Sequence, residues 1–220
     1  MAKKKQKIPE KKPNRTLLYV GIAVLFIAAL AIMFSSVSPE KKEEKLPAAG
    51  EFVKLAKPTT YEPGKVKIIE FLKFDCSHCY DLHKNMPQLL KKYGDNISIT
   101  YVPIVWPGQS TKSIEAYIIA EQMGKGEEMQ KALFQAQFVN NTNAMESTLA
   151  LENVASSIGL GTDFNSKLEG NEARNAALSN LALMTKYDVQ GTPTLIINGN
   201  LNVNPPTSAN LDAVIGSLLS

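Results

Sequence analysis

The chain has 220 residues, with 24 basic and 21 acidic side chains but only two cysteines and two histidines. Hydrophobic residues make up 44% and charged residues 20%, which is the balance of a folded protein rather than a disordered one. So few cysteines and histidines exclude a multi-cysteine zinc cluster, and a net charge of +3 excludes a broad basic surface for nucleic acid.

Much of the positive charge lies at the N-terminus. Residues 1–15 carry seven basic side chains and one acidic one, and no charge follows until Glu40. Residues 16–37 are the predicted transmembrane anchor, because Leu17 to Phe34 is apolar over about the length that spans a bilayer core. The basic tail predicts a cytoplasmic N-terminus and an exported remainder. Ala29-Leu30-Ala31 leaves a cleaved signal peptide open as the alternative.

Residues 38–50 are polar and charged, and they predict a solvated linker. Removing the seven basic residues and one acidic residue of the tail from the totals leaves 17 basic against 20 acidic side chains. The exported part is therefore mildly acidic, and we expect no nucleic-acid partner. Residues 51–220 are long enough for one domain with a hydrophobic core.

A strand, a Cys-x-x-Cys motif and a helix follow in order. Val66 to Phe74 is rich in β-branched and aromatic residues, which predicts a buried strand. After Cys76-Ser77-His78-Cys79, apolar residues at helical spacing run to Tyr93, and Gly94 is typical of a helix end. Pro87 lies inside this helix and predicts a kink.

The cysteine pair favours thiol chemistry over a structural staple. A disulfide across two intervening residues restrains an unfolded chain only weakly, because the loop it closes is short. A thiol at a helix N-terminus is stabilised as thiolate by free N–H groups and by the helix dipole. Cys76 is therefore the predicted nucleophile, and Cys79, one turn deeper, the resolving thiol. A zinc site on this pair is disfavoured, since it would need four ligands.

Three polar residues flank or follow the cysteines. The imidazole of His78 can stabilise the Cys76 thiolate by a hydrogen bond or by its charge, which would make the disulfide more oxidising. Asp75 is predicted to cap the helix N-terminus, although its carboxylate opposes thiolate formation. His83 is predicted to lie partly exposed on the helix surface.

Residues 69–80, IEFLKFDCSHCY, resemble the active-site segment of the DsbA-like thioredoxin-fold disulfide oxidoreductases, and Gly191-Thr192-Pro193-Thr194 is similar to their second signature. The resemblance implies an α/β, thioredoxin-like fold with a helical insertion at about 109–188. Asn96 to Pro103 is the predicted strand before the insertion. Inside it, apolar residues at helical spacing predict four helices, marked by Ile114, Tyr117 and Ile118; Met129, Leu133 and Phe134; Leu149, Val154 and Ile158; and Leu178, Leu181, Met184 and Tyr187.

The C-terminal segment predicts a hairpin and a helix. Thr194 to Asn198 and Leu201 to Val203 are the predicted strands, joined by the turn Asn198-Gly199-Asn200. Asn210 to Leu219 is the predicted closing helix, with Ser208 or Asn210 as its N-cap.

The resemblance implies roles for three further residues. Glu70 lies six residues before Cys76, where the family carries a buried carboxylate that exchanges a proton with the resolving thiol. A glutamate at a strand end facing solvent is the alternative. Thr192-Pro193 is implied to be a cis peptide that presents the Thr192 backbone to a substrate chain, whereas an ordinary trans loop is the alternative.

The implied function is that of a membrane-tethered thiol:disulfide oxidoreductase. It would donate a Cys76–Cys79 disulfide to reduced exported proteins and be reoxidised by a membrane quinone-linked disulfide oxidase. Neither a cofactor nor a metal is expected. Two alternatives stay open: a thiol reductase or isomerase kept reduced by a membrane donor, and a peptide-binding chaperone without turnover.

Overall fold

The structure is a computed structural model that describes residues 44–142, 145 and 147–220. The predicted basic tail, residues 1–15, and the predicted transmembrane anchor, residues 16–37, lie outside the described residues. Among the residues that are described, no helix is both long enough and apolar enough to cross a membrane.

The described residues contain five strands: β1 Phe52–Lys54, β2 Val66–Leu72, β3 Ile97–Pro103, β4 Thr194–Ile197 and β5 Leu201–Val203. These strands form one sheet in the order β1-β5-β4-β2-β3. Strands β2 and β3 are parallel, and the other neighbours are antiparallel. The central strand β2 is mostly buried and ends two residues before the predicted boundary at Phe74. The predicted strands of the C-terminal hairpin and before the insertion are confirmed.

Helix α1, Ser77–Tyr93, begins inside the cysteine motif and buries Leu82, Met86 and Leu89. It ends at Gly94, whose φ of 53° is a left-handed conformation that glycine adopts without a Cβ clash. The helix continues through Pro87, and the kink there stays a prediction.

Helices cover both faces of the sheet. Helices α1 and α7, Ser208–Leu219, pack on the face that carries Val66 and Ile68. The opposite face, with Phe71 of β2, packs against α6, Arg174–Lys186. Because β2 is buried on both sides, its sequence is apolar with little alternation.

The helical insertion lies between β3 and β4, as the resemblance implied. Its described residues form five helices rather than the four predicted, with bounds α2 Lys112–Gln122, α3 Gly126–Phe138, α4 Thr148–Ser157, α5 Thr162–Glu169 and α6 Arg174–Lys186. The missed helix, α5, has eight residues and buries only Phe164 and Leu168, which is too short a pattern to show periodicity. The insertion has its own core, which also contains Phe74 and Cys79.

The closing helix begins earlier than predicted, and its predicted cap is wrong. Thr207 caps α7, because its Oγ1 accepts a hydrogen bond from the N–H of Asn210 at 3.3 Å. Asn210 is instead occupied with Glu51: its Oδ1 accepts from the Glu51 N–H at 2.7 Å, and its Nδ2 donates to the Glu51 carbonyl at 2.8 Å. The predicted turn is confirmed, since Asn198 and Gly199 both have positive φ, as a type I′ turn requires.

Residues 44–50, the described part of the predicted linker, contact the C-terminal helix. Lys45 Nζ donates to the carbonyl oxygens of Leu218 at 3.1 Å and Ser220 at 2.7 Å. The N–H groups of Ala48 and Ala49 donate to the hydroxyl of Ser217. This part of the segment is thus held to the domain by hydrogen bonds.

Candidate active site

Cys76 is the N-cap of α1. Its backbone is extended, with φ of −96° and ψ of 116°, and its Sγ accepts a hydrogen bond from the Cys79 N–H at 3.3 Å. The predicted capping role of Asp75 is therefore wrong, because the helix starts one residue too late for it. The Asp75 carboxylate instead forms an ion pair with Lys73, at 3.3 Å between Nζ and Oδ2.

The surroundings of Cys76 favour its thiolate. Hydrogen bonds from the Cys79 thiol, the Thr192 hydroxyl and the backbone N–H groups of Cys79 and His78 lower the pKa of Cys76 to about 5, against the opposing effect of partial burial. When protonated, Sγ also donates to the Thr192 carbonyl oxygen at 3.2 Å, which favours the thiol. The hydrogen bonds that stabilise the thiolate are more numerous than this one, so the Cys76 thiol ionises easily.

Cys79 has the opposite character. Its side chain is completely buried in the core of the insertion. Because its thiol donates to Cys76, and because burial disfavours a charge, its pKa is raised well above the ordinary value. Both cysteines are free thiols in the structure, which therefore describes the reduced form of the pair. One thiol gives up its proton easily, and the other retains it.

The loop before β4 brings Thr192 to the cysteines. Strand β4 pairs antiparallel with β2, and Thr194 lies opposite Phe71, so the preceding residues reach the end of β2 where the motif begins. The Thr192–Pro193 peptide is cis, as the resemblance implied. The Thr192 backbone thus lies directly beside Cys76.

Glu70 is inside the fold, on β2 opposite Tyr101 of β3. It is 1% exposed, and its Oε2 has no hydrogen-bond partner among the described residues. Burial, and to a smaller extent the negative charge of the Cys76 thiolate, raise the pKa of Glu70 to about 8. A carboxyl group with this pKa can take up or release a proton near neutral pH.

The prediction for His83, a partly exposed position on the helix, is confirmed, whereas the expected hydrogen bond from the His78 imidazole to Cys76 is not formed. His78 is exposed, and its imidazole makes no hydrogen bond within the described part of the chain; only its backbone N–H stabilises Cys76. The side chain instead lines a groove of about 420 Å³ together with Thr192, Pro193 and Thr207. His83 is half-buried, with its ring centroid 5.0 Å from that of Phe134, and burial lowers its pKa.

Sequence reasoning missed Lys73 as part of the site. Lys73 is 7% exposed, and its Nζ forms the ion pair with Asp75 and lies 5.8 Å from the ring centroid of Trp106. A lysine within an apolar strand segment just before the cysteines was the available signal. In the described ranges, no three histidine, cysteine or carboxylate side chains are grouped as a metal site would require.

Residues 62–217 match the thioredoxin family (Thioredoxin_4). The thiol:disulfide interchange protein DsbA of Burkholderia cepacia is 25% identical over 167 residues, which cover 72% of this chain and 76% of the relative. DsbA of Salmonella typhimurium is 23% identical over 186 residues, or 82% of this chain and 85% of the relative.

Solved structures give the same fold. The crystal structure of the oxidoreductase DsbA from Xylella fastidiosa superposes with a TM-score of 0.65 at 22% identity, over 80% of this chain and 96% of that one. Pseudomonas aeruginosa DsbA has a TM-score of 0.65 at 18% identity, over 77% of this chain and 91% of that one. With the unequal cysteine pair at a helix N-terminus, these matches show that the chain belongs to the thioredoxin family and is a DsbA-like thiol:disulfide oxidoreductase.

Proposed function

We propose that this protein is an extracytoplasmic enzyme that donates a Cys76–Cys79 disulfide to reduced exported proteins. The observation that carries the proposal is the position of Cys76 as helix cap, where several hydrogen bonds stabilise its thiolate. The negative charge that these hydrogen bonds stabilise exists only in the reduced form. They stabilise the reduced form relative to the disulfide, and a disulfide whose reduced form is stabilised is a strong oxidant.

The exchange proceeds in two steps. A substrate thiolate attacks Sγ of Cys76, the Cys76–Cys79 bond breaks, and its electron pair goes to Sγ of Cys79, which takes a proton. A second substrate thiolate then attacks the substrate sulfur of the mixed disulfide and releases Cys76. The low pKa of Cys76 makes its thiolate a good leaving group. The substrate ends with a disulfide and the enzyme with two reduced sulfurs.

We propose that Glu70 supplies the proton that Cys79 takes up when the disulfide breaks. Cys79 is buried, so water cannot readily supply a proton when the bond to Cys76 breaks. Glu70, with a pKa raised to about 8, holds a proton at neutral pH and lies on the strand that leads to the motif. We assign Thr192 and Pro193 to substrate binding, because the Thr192 carbonyl is adjacent to the attacked sulfur. His78 is assigned to the rim of the site, because its side chain lines the groove beside Thr192 and its backbone N–H stabilises the Cys76 thiolate.

Reoxidation requires a second protein. The chain has only two cysteines, so the two electrons taken from the substrate have no further acceptor within it. A membrane quinone-linked disulfide oxidase is the proposed acceptor. The basic tail at 1–15 and the apolar segment at 16–37 support a single-pass anchor that holds the catalytic domain, 51–220, on the extracytoplasmic side through the linker at 38–50.

The test is a redox titration of the cysteine pair against glutathione. We expect a potential far above the value of about −270 mV typical of thioredoxin, and closer to about −120 mV. A potential near that of thioredoxin would instead support a reductase kept reduced by a membrane donor. Cys76→Ala should abolish the oxidation of a dithiol peptide, because it removes the sulfur that the substrate thiolate attacks. Full peptide oxidation by Cys76→Ala would exclude the proposed chemistry.

A further inference from the structure

A second cavity, of about 320 Å³, lies between α1, β3, α2 and α3. It shares no lining residue with the groove beside Cys76. One wall is apolar and consists of Met86, Pro87 and Leu90 of α1. This volume is at the lower end of the range found for sites that bind small molecules.

An amide side chain that forms no hydrogen bond within the described part of the chain lines this cavity. Gln130 of α3 is 3% exposed, and its side chain forms no hydrogen bond with any described residue. A polar side chain that lines a pocket and has no protein partner is available to hydrogen-bond a ligand and to fix its orientation. A ligand with N–H donors would give the Gln130 carbonyl oxygen the bond that it lacks.

The mouth of the cavity is negatively charged. Glu121 of α2 and Glu127 of α3 line it and are exposed, and neither forms an ion pair with a lysine or arginine among residues 44–142, 145 and 147–220. Two tyrosines line the cavity as well: the hydroxyl of Tyr117 donates to Glu121 Oε1 at 3.4 Å, and Tyr101 extends from β3. Carboxylates and aromatic rings together favour a cation.

The basic groups near the cavity do not cancel its preference for a cation. His83 lines the cavity, and because burial lowers its pKa it is mainly neutral at neutral pH. Lys131 and Glu127 act on His83 with opposite sign, so their charges partly cancel there. The second carboxylate, Glu121, then adds to the negative field at the mouth.

We propose that this cavity binds a small organic cation, with an ammonium or guanidinium head and an apolar body about the size of one aromatic ring. The cationic head group lies between Glu121 and Glu127 and donates a hydrogen bond to the side-chain amide oxygen of Gln130. The body packs against Met86 and Leu90. This site is separate from the reactive cysteines and does not depend on the direction in which the protein exchanges disulfides.

The test uses the full chain in detergent micelles, labelled with ¹³C at its methionine methyl groups. Met86 reports on the cavity, and Met184, which packs on the other face of the sheet, serves as an internal reference. The probe is 2-phenylethylammonium, and the matched uncharged probe is 2-phenylethanol. We expect the cation to shift the Met86 signal saturably and the alcohol to bind at least about tenfold more weakly.

Variants test the contribution of the two carboxylates to binding separately from that of the Gln130 amide. The double change Glu121→Gln and Glu127→Gln should weaken cation binding about tenfold, and Gln130→Leu should do the same by removing the acceptor. Glu169→Gln, an exposed acid on α5, is the matched control and should leave binding within about twofold. An unchanged Met184 signal verifies that each variant is folded. Equal binding of both probes, no saturable shift of Met86, or full binding by the double variant would overturn the proposal.

Discussion

The buried carboxyl group of Glu70 predicts a stability that depends on pH in a defined direction. The pKa of Glu70 is raised from an ordinary value of 4.5 to about 8, mainly because the side chain is removed from water. Between these two values the unfolded chain loses this proton while the folded protein keeps it. The folded state therefore becomes less stable as the pH rises from 4.5 to 8. Above pH 8 the Glu70 carboxyl causes no further change in stability.

The size of the effect follows from the pKa difference. Since a change of one in pKa corresponds to about 1.4 kcal/mol, the buried carboxyl lowers the free energy of unfolding by on the order of 3 kcal/mol at pH 7. Above pH 8 the loss reaches on the order of 5 kcal/mol. The change Glu70→Gln replaces the carboxyl by a neutral amide of the same shape and should remove this loss.

The assay is urea unfolding of the oxidised protein at pH 4, 7 and 8.5, with wild type and Glu70→Gln compared at each pH. In the oxidised protein no thiol titrates, and the smaller contribution of the Cys76 thiolate to the pKa of Glu70 is absent. The difference in unfolding free energy between the two proteins therefore reports on the burial of the carboxyl group alone. We expect equal stability at pH 4 and a growing advantage of the variant above it. Glu169→Gln, at an exposed position, should show no such trend. A difference between Glu70→Gln and wild type that stays constant from pH 4 to 8.5 would refute the argument.

Three further predictions concern the site and its support. Alkylation of Cys76 by iodoacetamide in the reduced protein should have its midpoint near pH 5, because the pKa of Cys76 is lowered to about 5; a midpoint near that of a free thiol, about 8.5, would contradict this. Phe134→Ala removes a completely buried ring of the insertion core and should lower the free energy of unfolding by about 3–5 kcal/mol in urea, whereas the partly buried Phe138 should lose less on the same change. Thr207→Ala should lower the melting temperature by removing the cap of α7, worth about 1 kcal/mol, while Ser208→Ala should change it less; equal effects would place the cap elsewhere.

The strand, motif and helix around the cysteines could be predicted because their signals are local. The apolar run of β2 and the helical spacing of Leu82, Met86 and Leu89 each lie within a few residues. The burial of Glu70 could also be inferred, since its neighbours along the strand are apolar. Features that depend on distant contacts could not. Asn210 does not cap α7, because its side chain forms hydrogen bonds with the backbone of Glu51, which is distant in the sequence.

The orientation of His78 shows a second limit of prediction from sequence. Its position between the cysteines suggested a side-chain contact with Cys76. At the second position of a helix, however, the backbone N–H points back to the cap while the side chain points outward. The structure follows this rule, since the N–H of His78 stabilises Cys76 and the exposed imidazole lines the neighbouring groove.

The difference between the two thiols follows from a single helical turn. Cys76, as the cap, keeps its sulfur partly exposed at the start of α1, whereas Cys79 turns its sulfur into the core formed by the insertion. In the proposed reaction the substrate thiolate therefore attacks Cys76, and the electron pair of the broken bond moves inward to Cys79. Because that core excludes water, we infer that the proton which follows has to come from a group inside the fold. Glu70 is a buried acid on the adjacent strand, so the insertion that hides Cys79 is also what makes an internal proton donor necessary.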